Sequence, residues 1–285
     1  MERDIFISII IATYNVEDCI SKCLDSIFNQ TYKNFEILIM DGASTDNSIS
    51  IINGYTDPRL KIFSAPDKGI YDAWNKGLAC STGNWVTFIG ADDSYSSNQS
   101  LELLVQGIPP SNNAPVIYGK IENEGPEGNI TGGSGEPWFN LFSLLFNYIK
   151  CNLPIPIMSA IYSKEFLNNE KFDINLKITA DADLFLRCLR RWNGNSPYFI
   201  GGNNIIVRMG YGGISTNYST YIMTLKDSII TRKKNNISNI NLGIIIRTFK
   251  VYTLYIIGSI FGDQFISKAL VKYHKIKTKI NGLGK

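Results

Sequence analysis

Three short apolar runs, each closing on polar residues, narrow the folds open to this chain more than any other feature. Residues 5–11 (IFISIII), 35–40 (FEILIM) and 85–90 (WVTFIG) carry little polarity and suit strands covered on both faces. Between the first two, residues 18–29 set Ile20, Cys23, Leu24 and Ile27 at helical intervals. A short helix is expected over 48–53, a weaker strand over 59–63 and a helix over 70–80. Strand and helix alternating at this spacing predict βαβ units on a mostly parallel sheet.

Composition enters as a filter. The chain has 285 residues, 44% of them hydrophobic, with a net charge of +3, enough for one large domain or two small ones and unlike a disordered chain. Its single histidine, His274, lies in a basic tail, so acid–base chemistry falls to carboxylates. Five cysteines (Cys19, Cys23, Cys80, Cys151, Cys188) form no CxxC pair, and the acidic start MERDIF carries no secretory pattern. An intracellular setting is the expectation.

Charge divides the chain unevenly. Residues 225–285 hold 12 Lys/Arg against 2 Asp/Glu, leaving 16 and 23 for the rest. Within that tail, residues 242–262 are strongly apolar but interrupted by Arg247 and Lys250, and Val251–Gly262 falls short of the ~20 residues that cross a bilayer. Lysines 268, 272, 275, 277 and 279 follow. Two readings stand: an element lying on an anionic membrane surface, or a core-packing helix with a solvated basic end. Residues 107–136, rich in Gly, Pro and Asn, read as a long irregular excursion with one strand at 115–118. Helices are expected at 138–149 and 181–192.

Ligands of parallel α/β sheets bind beyond the carboxyl ends of the strands. Four polar clusters fall there: Thr13-Tyr14-Asn15, Asp41-Gly42-Ala43-Ser44, Pro66-Asp67-Lys68-Gly69 and Asp92-Asp93. Any one of them is an ordinary loop, but four on one rim point to a site. Adjacent carboxylates such as Asp92 and Asp93 are costly in a cleft unless cations compensate them. Without histidine or clustered thiolate, the cation expected is Mg²⁺ or Mn²⁺ bridging to phosphate. Neither GxxxxGK[ST] nor GxGxxG after the first strand occurs.

SIIIATYN, DGASTDNS, PDKGIYDAWNKG and STGNWVTFIGADD, in that order, resemble the family 2 glycosyltransferases, closest to bacterial enzymes of O-antigen, capsule and other surface-polysaccharide assembly. The resemblance is strong over 5–100 and looser over 155–213. It implies the α/β GT-A fold, a Rossmann-like, mostly parallel sheet flanked by helices, here with a helical C-terminal extension. It also implies a catalytic domain over 1–220, with a nucleotide-sugar half (1–100) and an acceptor half (101–220), and an extension over 221–285. The implied reaction is inverting, metal-dependent transfer of a hexose or N-acetylhexosamine from a nucleoside diphosphate sugar, UDP-linked by preference.

Carried over by that resemblance, Thr13, Tyr14 and Asn15 edge the nucleotide pocket and Asp41 receives the base. Asp67, Lys68, Asn75 and Lys76 belong to the ribose and diphosphate rim. Asp92 matches the last aspartate of the family's DxD motif and is the metal ligand. Gly90 stands where the first aspartate would be, which leaves some contacts to Asp93 or water. Asp181, in ITADADLFLR, resembles the general base, although its position also suits an N-cap for a helix starting near residue 182. Asp183 is expected to support the site or pair with Arg187. Met158 stands where relatives often carry histidine, implying a more apolar acceptor pocket, and Gly212–Ser215 resembles a closing segment.

The implied acceptor is a polyprenyl diphosphate-linked oligosaccharide at the inner face of the cytoplasmic membrane, with the protein cytoplasmic and peripheral there. A sugar nucleotidyltransferase and a non-catalytic sugar-nucleotide-binding subunit are the alternatives. No nucleic-acid-reading module is present.

Overall fold

The first strand, β1 (Ile7–Thr13), is buried along nearly its whole length and lies between β2 (Phe35–Asp41) and β4 (Trp85–Gly90), both parallel to it. Its side chains alternate between two cores: Ile7, Ile9 and Ile11 enter one and Ile10 the other, as do Ile37 and Ile39 against Leu38 and Met40 on β2. A sheet covered on both faces explains the unbroken apolar runs. The coordinates are a computed structural model describing residues 4–109, 111–125, 127–138, 155–202, 204–210, 220–237 and 242–262.

On one face pack α1 (Ile20–Phe28), α2 (Ser48–Asn53) and α4 (Ser100–Gln106), through Ile20, Cys23, Leu24, Ile27, Ile52, Leu101 and Leu104. On the other lie α3 (Ile70–Cys80) and α6 (Ala180–Arg191), sharing a core with Trp74, Phe88, Phe172 and Leu184. Outside β2 runs β3 (Leu60–Ser64), the exposed edge. The large sheet has the order β10-β6-β9-β4-β1-β2-β3, where β6 is Val116–Tyr118, β9 is Ala160–Ser163 and β10 is Tyr198–Phe199. Only β9 runs against the others. The strand order reverses between β1 and β4, so the crevice at their carboxyl ends is the topological switch point.

The expected strands and helices of the first hundred residues agree with the structure to within two residues. Within residues 107–136 the strand expected at 115–118 is present as β6, but the rest is not irregular: it forms a hairpin of β7 (Lys120–Glu124) and β8 (Ile130–Ser134). That hairpin joins β5 (Ser94–Tyr95) and β11 (Ile205–Met209) in a second sheet, order β5-β11-β7-β8. β8 reads ITGGS, a glycine-rich strand with no apolar alternation to announce it. A four-residue helix, α5 (Lys164–Leu167), follows β9.

Two further helices close the described chain, α7 (Tyr221–Lys234) and α8 (Leu242–Phe261). Among the described residues no helix is long and apolar enough to cross a membrane. The helix expected over 138–149 (save Trp138), Gly212–Ser215, Cys151, His274 and the lysines after residue 262 lie outside the described residues.

Candidate active site

Strand register brings the polar strand ends side by side. Thr13 pairs with Asp41 across β1 and β2, and Asp41 with Ser64 across β2 and β3. Asp41 is buried, and its neighbours cage it. Thr13 Oγ1 donates to Oδ1 at 3.1 Å and Ser44 Oγ at 2.5 Å, while Ser64 Oγ donates to Oδ2 at 2.6 Å and the Ser44 N–H at 3.0 Å. Burial raises the carboxyl's pKa, but these hydrogen bonds outweigh it and hold the group below the ordinary range. Four donors match the four lone-pair positions of a carboxylate. A nucleobase N–H would be a fifth.

Asp67 is placed differently. A Cβ on Gly42 would stand 2.8 Å from Asp67 Oδ2 and 3.3 Å from the Tyr14 ring, so the bare backbone at residue 42 admits both. Asp67 Oδ1 accepts the Gly69 N–H at 2.7 Å. A pocket of about 190 Å³ opens here, with Asp41, Phe63, Asp67 and Lys76 in its lining. Tyr14 is well exposed, and Asn15 Oδ1 fixes the Thr45 N–H at 2.8 Å. Lys68 is exposed, its N–H held by Asp72. Lys76 Nζ donates to the Pro66 carbonyl at 2.9 Å and pairs with Asp72 at 3.2 Å.

At the end of β4 the two acids part. Asp93 is 2% exposed and turned inward, with Oδ2 accepting the Gly90 N–H at 3.2 Å and Oδ1 the Gly210 N–H at 3.1 Å. It ties the β4 turn to the end of β11. Asp92 keeps partial exposure. Burial, then for Asp93 the neighbouring charge of Asp92, pushes both carboxyls up. A Cβ at residue 90 would stand 2.7 Å from Asp93 Oδ2 and 2.8 Å from Asp92 Oδ1. Glycine therefore stands there for a physical reason: the carboxylates fold back over it.

Among the described residues no three His, Cys, Asp or Glu side chains converge as a ready metal cage. The donor set is one partly exposed carboxylate, Asp92, beside one committed to internal bonds. That suits a cation such as Mg²⁺, bound through one or two carboxylates plus substrate phosphates and water.

Asp181 comes from the other half of the chain, is partly exposed, and lies beside the hydroxyl of Tyr71. It is the second residue of α6, which starts at Ala180 with Thr179 before it, so the N-cap position, the alternative reading of Asp181, belongs to Thr179. Burial pushes the Asp181 carboxyl up to about 6, against backbone hydrogen bonds and the Tyr71 hydroxyl, which favour its charged form. Tyr71 sits in the first turn of α3, directly after the Asp67 loop, and its hydroxyl donates 2.7 Å to the Ile178 carbonyl. Asp183 faces inward, accepting from Arg187 Nε at 2.9 Å, the pairing expected, and also from Asn235 Nδ2 at 3.0 Å.

Asn75 has another engagement: Nδ2 donates to the Phe172 carbonyl at 2.9 Å and Oδ1 accepts the Phe172 N–H at 2.8 Å. Sequence reasoning missed Tyr71 and Asp227. Tyr71 lies inside a quoted motif but reads as a core aromatic. Asp227 is the only acid between residues 225 and 262, and that isolation in a basic stretch was its signal. Met158 packs against both cores.

Comparison with known proteins follows from this geometry. The model of "Glycosyl transferase family 2" matches residues 8–170. A PGL/p-HBAD biosynthesis glycosyltransferase of Mycobacterium bovis is 33% identical over 184 residues, 64% of this chain and 68% of that protein. The chondroitin synthase of Pasteurella multocida is 28% identical over 184 residues, 18% of its own length. Among solved structures, S. aureus TarS 1-349 in complex with UDP-GlcNAc superposes with a TM-score of 0.59 at 19% identity, covering 86% of this chain and 73% of that one. The Pyrobaculum calidifontis mannosyltransferase PcManGT, in complex with GDP-Man and Mn²⁺, gives 0.59 at 15% identity, covering 97% and 87%. These two likenesses concern the fold.

Proposed function

The chain belongs to glycosyl transferase family 2, and on that premise we propose that it transfers a hexose or N-acetylhexosamine from a UDP-sugar to a lipid-linked oligosaccharide, with inversion, in surface-polysaccharide assembly. One observation carries the reading. The Asp92 turn lies at the β1/β4 switch point, while Asp181 reaches the first turn of α3, beside the loop bearing Asp67. On this reading the two carboxylates, from distant parts of the chain, serve one reaction, Asp92 on the donor side and Asp181 on the acceptor side.

On this reading the nucleotide enters the pocket beside Asp67 and Tyr14, with Thr13, Asn15, Lys68 and Lys76 around it. Asp67 Oδ2 receives the base N–H, and Asp41, saturated by its own hydroxyl donors, fixes the floor. Asp92 would hold Mn²⁺ or Mg²⁺ together with the diphosphate, and such a cation neutralises charge developing on the leaving group. Asp93 braces the turn that carries Asp92. Asp181 takes the proton from the acceptor hydroxyl as its oxygen attacks the anomeric carbon from the face opposite the diphosphate. Its raised pKa makes it a stronger base than an ordinary carboxylate while leaving it ionised at neutral pH.

The extension agrees with an acceptor carried in lipid. On α8, Phe249, Tyr252, Ile256 and Ile260 recur at three- and four-residue intervals on one face and are 76%, 48%, 55% and 67% exposed. No Asp or Glu occurs between residues 228 and 262. An apolar stripe among cations suits peripheral binding to an anionic membrane such as the inner face of the cytoplasmic membrane.

The test is a panel of UDP-, GDP- and dTDP-sugars with Mn²⁺, reading nucleotide release and transfer to a polyprenyl diphosphate-linked acceptor, alongside sedimentation with phosphatidylglycerol and phosphatidylcholine vesicles. UDP-sugars reacting, and binding to phosphatidylglycerol weakened by Phe249→Ser with Ile260→Ser, support the reading. Reaction of GDP- or dTDP-sugars alone overturns the uridine preference, and equal recovery with both vesicle types overturns the charge-dependent docking.

A further inference from the structure

Helix α7 lies beyond the segment matched by the family model, yet one face of it grips the loop that delivers Asp181. Asp227, 6% exposed, accepts the N–H groups of both Lys177 and Ile178 on a single oxygen, Oδ2, at 2.6 and 2.8 Å. One turn further, Thr231 shares a hydroxyl hydrogen bond of 2.8 Å with Thr179. One turn further again, Asn235 Nδ2 donates to Asp183 Oδ1 at 3.0 Å. Residues 227, 231 and 235 follow the four-residue spacing that lines one helix face. Their partners, residues 177, 178, 179 and 183, bracket residue 181 on both sides and leave its carboxylate untouched.

From this bracketing we infer that Asp227 is a positioning residue for sugar transfer, fixing the 177–178 backbone so that Asp181 meets the acceptor hydroxyl in line; this rests on the general-base reading of Asp181. Both backbone polar groups of Ile178 are held, its N–H by Asp227 and its carbonyl by Tyr71. Helix α3 and the C-terminal extension therefore fix the backbone of one residue together. A misplacement of about 1 Å at a reacting group costs about 100-fold in rate. The donor rim, by contrast, has no hydrogen bond to Asp227 among the described contacts.

Asp227→Ala and Asp227→Asn are compared for turnover, as UDP released from the UDP-sugar that reacts in the panel above, for donor KM and for Tm. Asparagine keeps an acceptor oxygen for both N–H groups; alanine keeps none. The expected result is a kcat about 30-fold lower in Asp227→Ala with donor KM within about twofold of the parent, and recovery to within about threefold in Asp227→Asn. Wild-type kcat in a folded Asp227→Ala, a parallel loss of donor affinity, or an asparagine variant no better than alanine overturns the inference. Should the alanine variant fail to fold, Thr231→Val carries the test: a lowered kcat at constant KM supports it and an unchanged kcat overturns it. Asp181→Asn is run alongside. If it retains turnover, the base reading falls; if it loses turnover while Asp227→Ala does not, only the positioning inference falls.

Discussion

Asn75 closes both ends of its side-chain amide on the backbone of Phe172, donating to the carbonyl at 2.9 Å and accepting from the N–H at 2.8 Å. Asn75 lies on α3, and Phe172 lies in the loop leading to Asp181. Phe172 is also packed in an aromatic cluster, its ring 5.4 Å from Tyr71, 5.4 Å from Trp74 and 5.1 Å from Phe88. The two halves of the site are joined here by hydrogen bonds and ring packing together.

Asn75→Ala removes both bonds and leaves a part-buried backbone pair without its partners, which costs about 2 kcal/mol of stability. In the folded variant kcat falls while UDP affinity, measured by calorimetry, stays within about threefold of the parent, that being the margin of about one weak hydrogen bond. A loss of UDP affinity at unchanged Tm would return Asn75 to direct nucleotide contact.

Asp67 and Asp41 separate by the same logic. Asp67→Ala weakens UDP binding about tenfold, the value of one hydrogen bond to a charged acceptor. Asp41→Asn acts on the cage formed by Thr13, Ser44 and Ser64, so its main effect is a lower Tm. Calorimetric titration with UDP and thermal melts of both variants check this pair. A tenfold affinity loss in a fully stable Asp41→Asn would reverse the two roles.

On the proposed reading Asp92 holds the cation. Calorimetry is then expected to show tighter UDP binding to the parent with Mn²⁺ than without it, and loss of that difference in Asp92→Ala. Persistence of the Mn²⁺ effect in the variant would move the metal contact elsewhere.

Far from this rim, Glu36 gathers Ser8 Oγ at 2.7 Å, the Thr82 N–H at 2.6 Å, Thr82 Oγ1 at 2.8 Å and Lys61 Nζ at 2.8 Å. Burial opposes its ionisation, but these donors prevail and lower its pKa from 4.5 to about 2. A carboxyl depressed in the folded state contributes stability above its unfolded pKa and loses it as pH falls toward the folded one. Chemical denaturation of the parent between pH 5 and about 2 therefore shows a falling stability, and Glu36→Gln flattens that fall while costing about 2 kcal/mol at neutral pH. An unchanged pH dependence in Glu36→Gln would exclude this carboxyl as its source.

The first hundred residues were legible because their strands are covered on both faces, so burial writes itself as unbroken runs such as WVTFIG and FEILIM. The second sheet was not. Its strand ITGGS has no alternation, and β5 is two residues long, held by pairing with β11 more than a hundred positions away. The site divides in a similar way. Residue type and motif order brought Asp92 and Asp181 forward, but residue type does not say which way a carboxylate turns. Asp93 differs from Asp92 only in facing Gly210, and Asp41 differs from Asp67 in lying between two hydroxyl-bearing strands whose register no motif reveals.

On the proposed function, Asp181 moves the acceptor's proton and takes no part in holding the donor. UDP affinity and turnover measured together in Asp181→Asn, with the pH dependence of kcat in the parent, test this most directly. Expected are UDP affinity within about twofold of the parent, turnover down by at least about 1,000-fold, and a parent kcat that falls with decreasing pH through an apparent pKa of about 6. A folded Asp181→Asn that still turns over, or that loses turnover and UDP binding together, contradicts it.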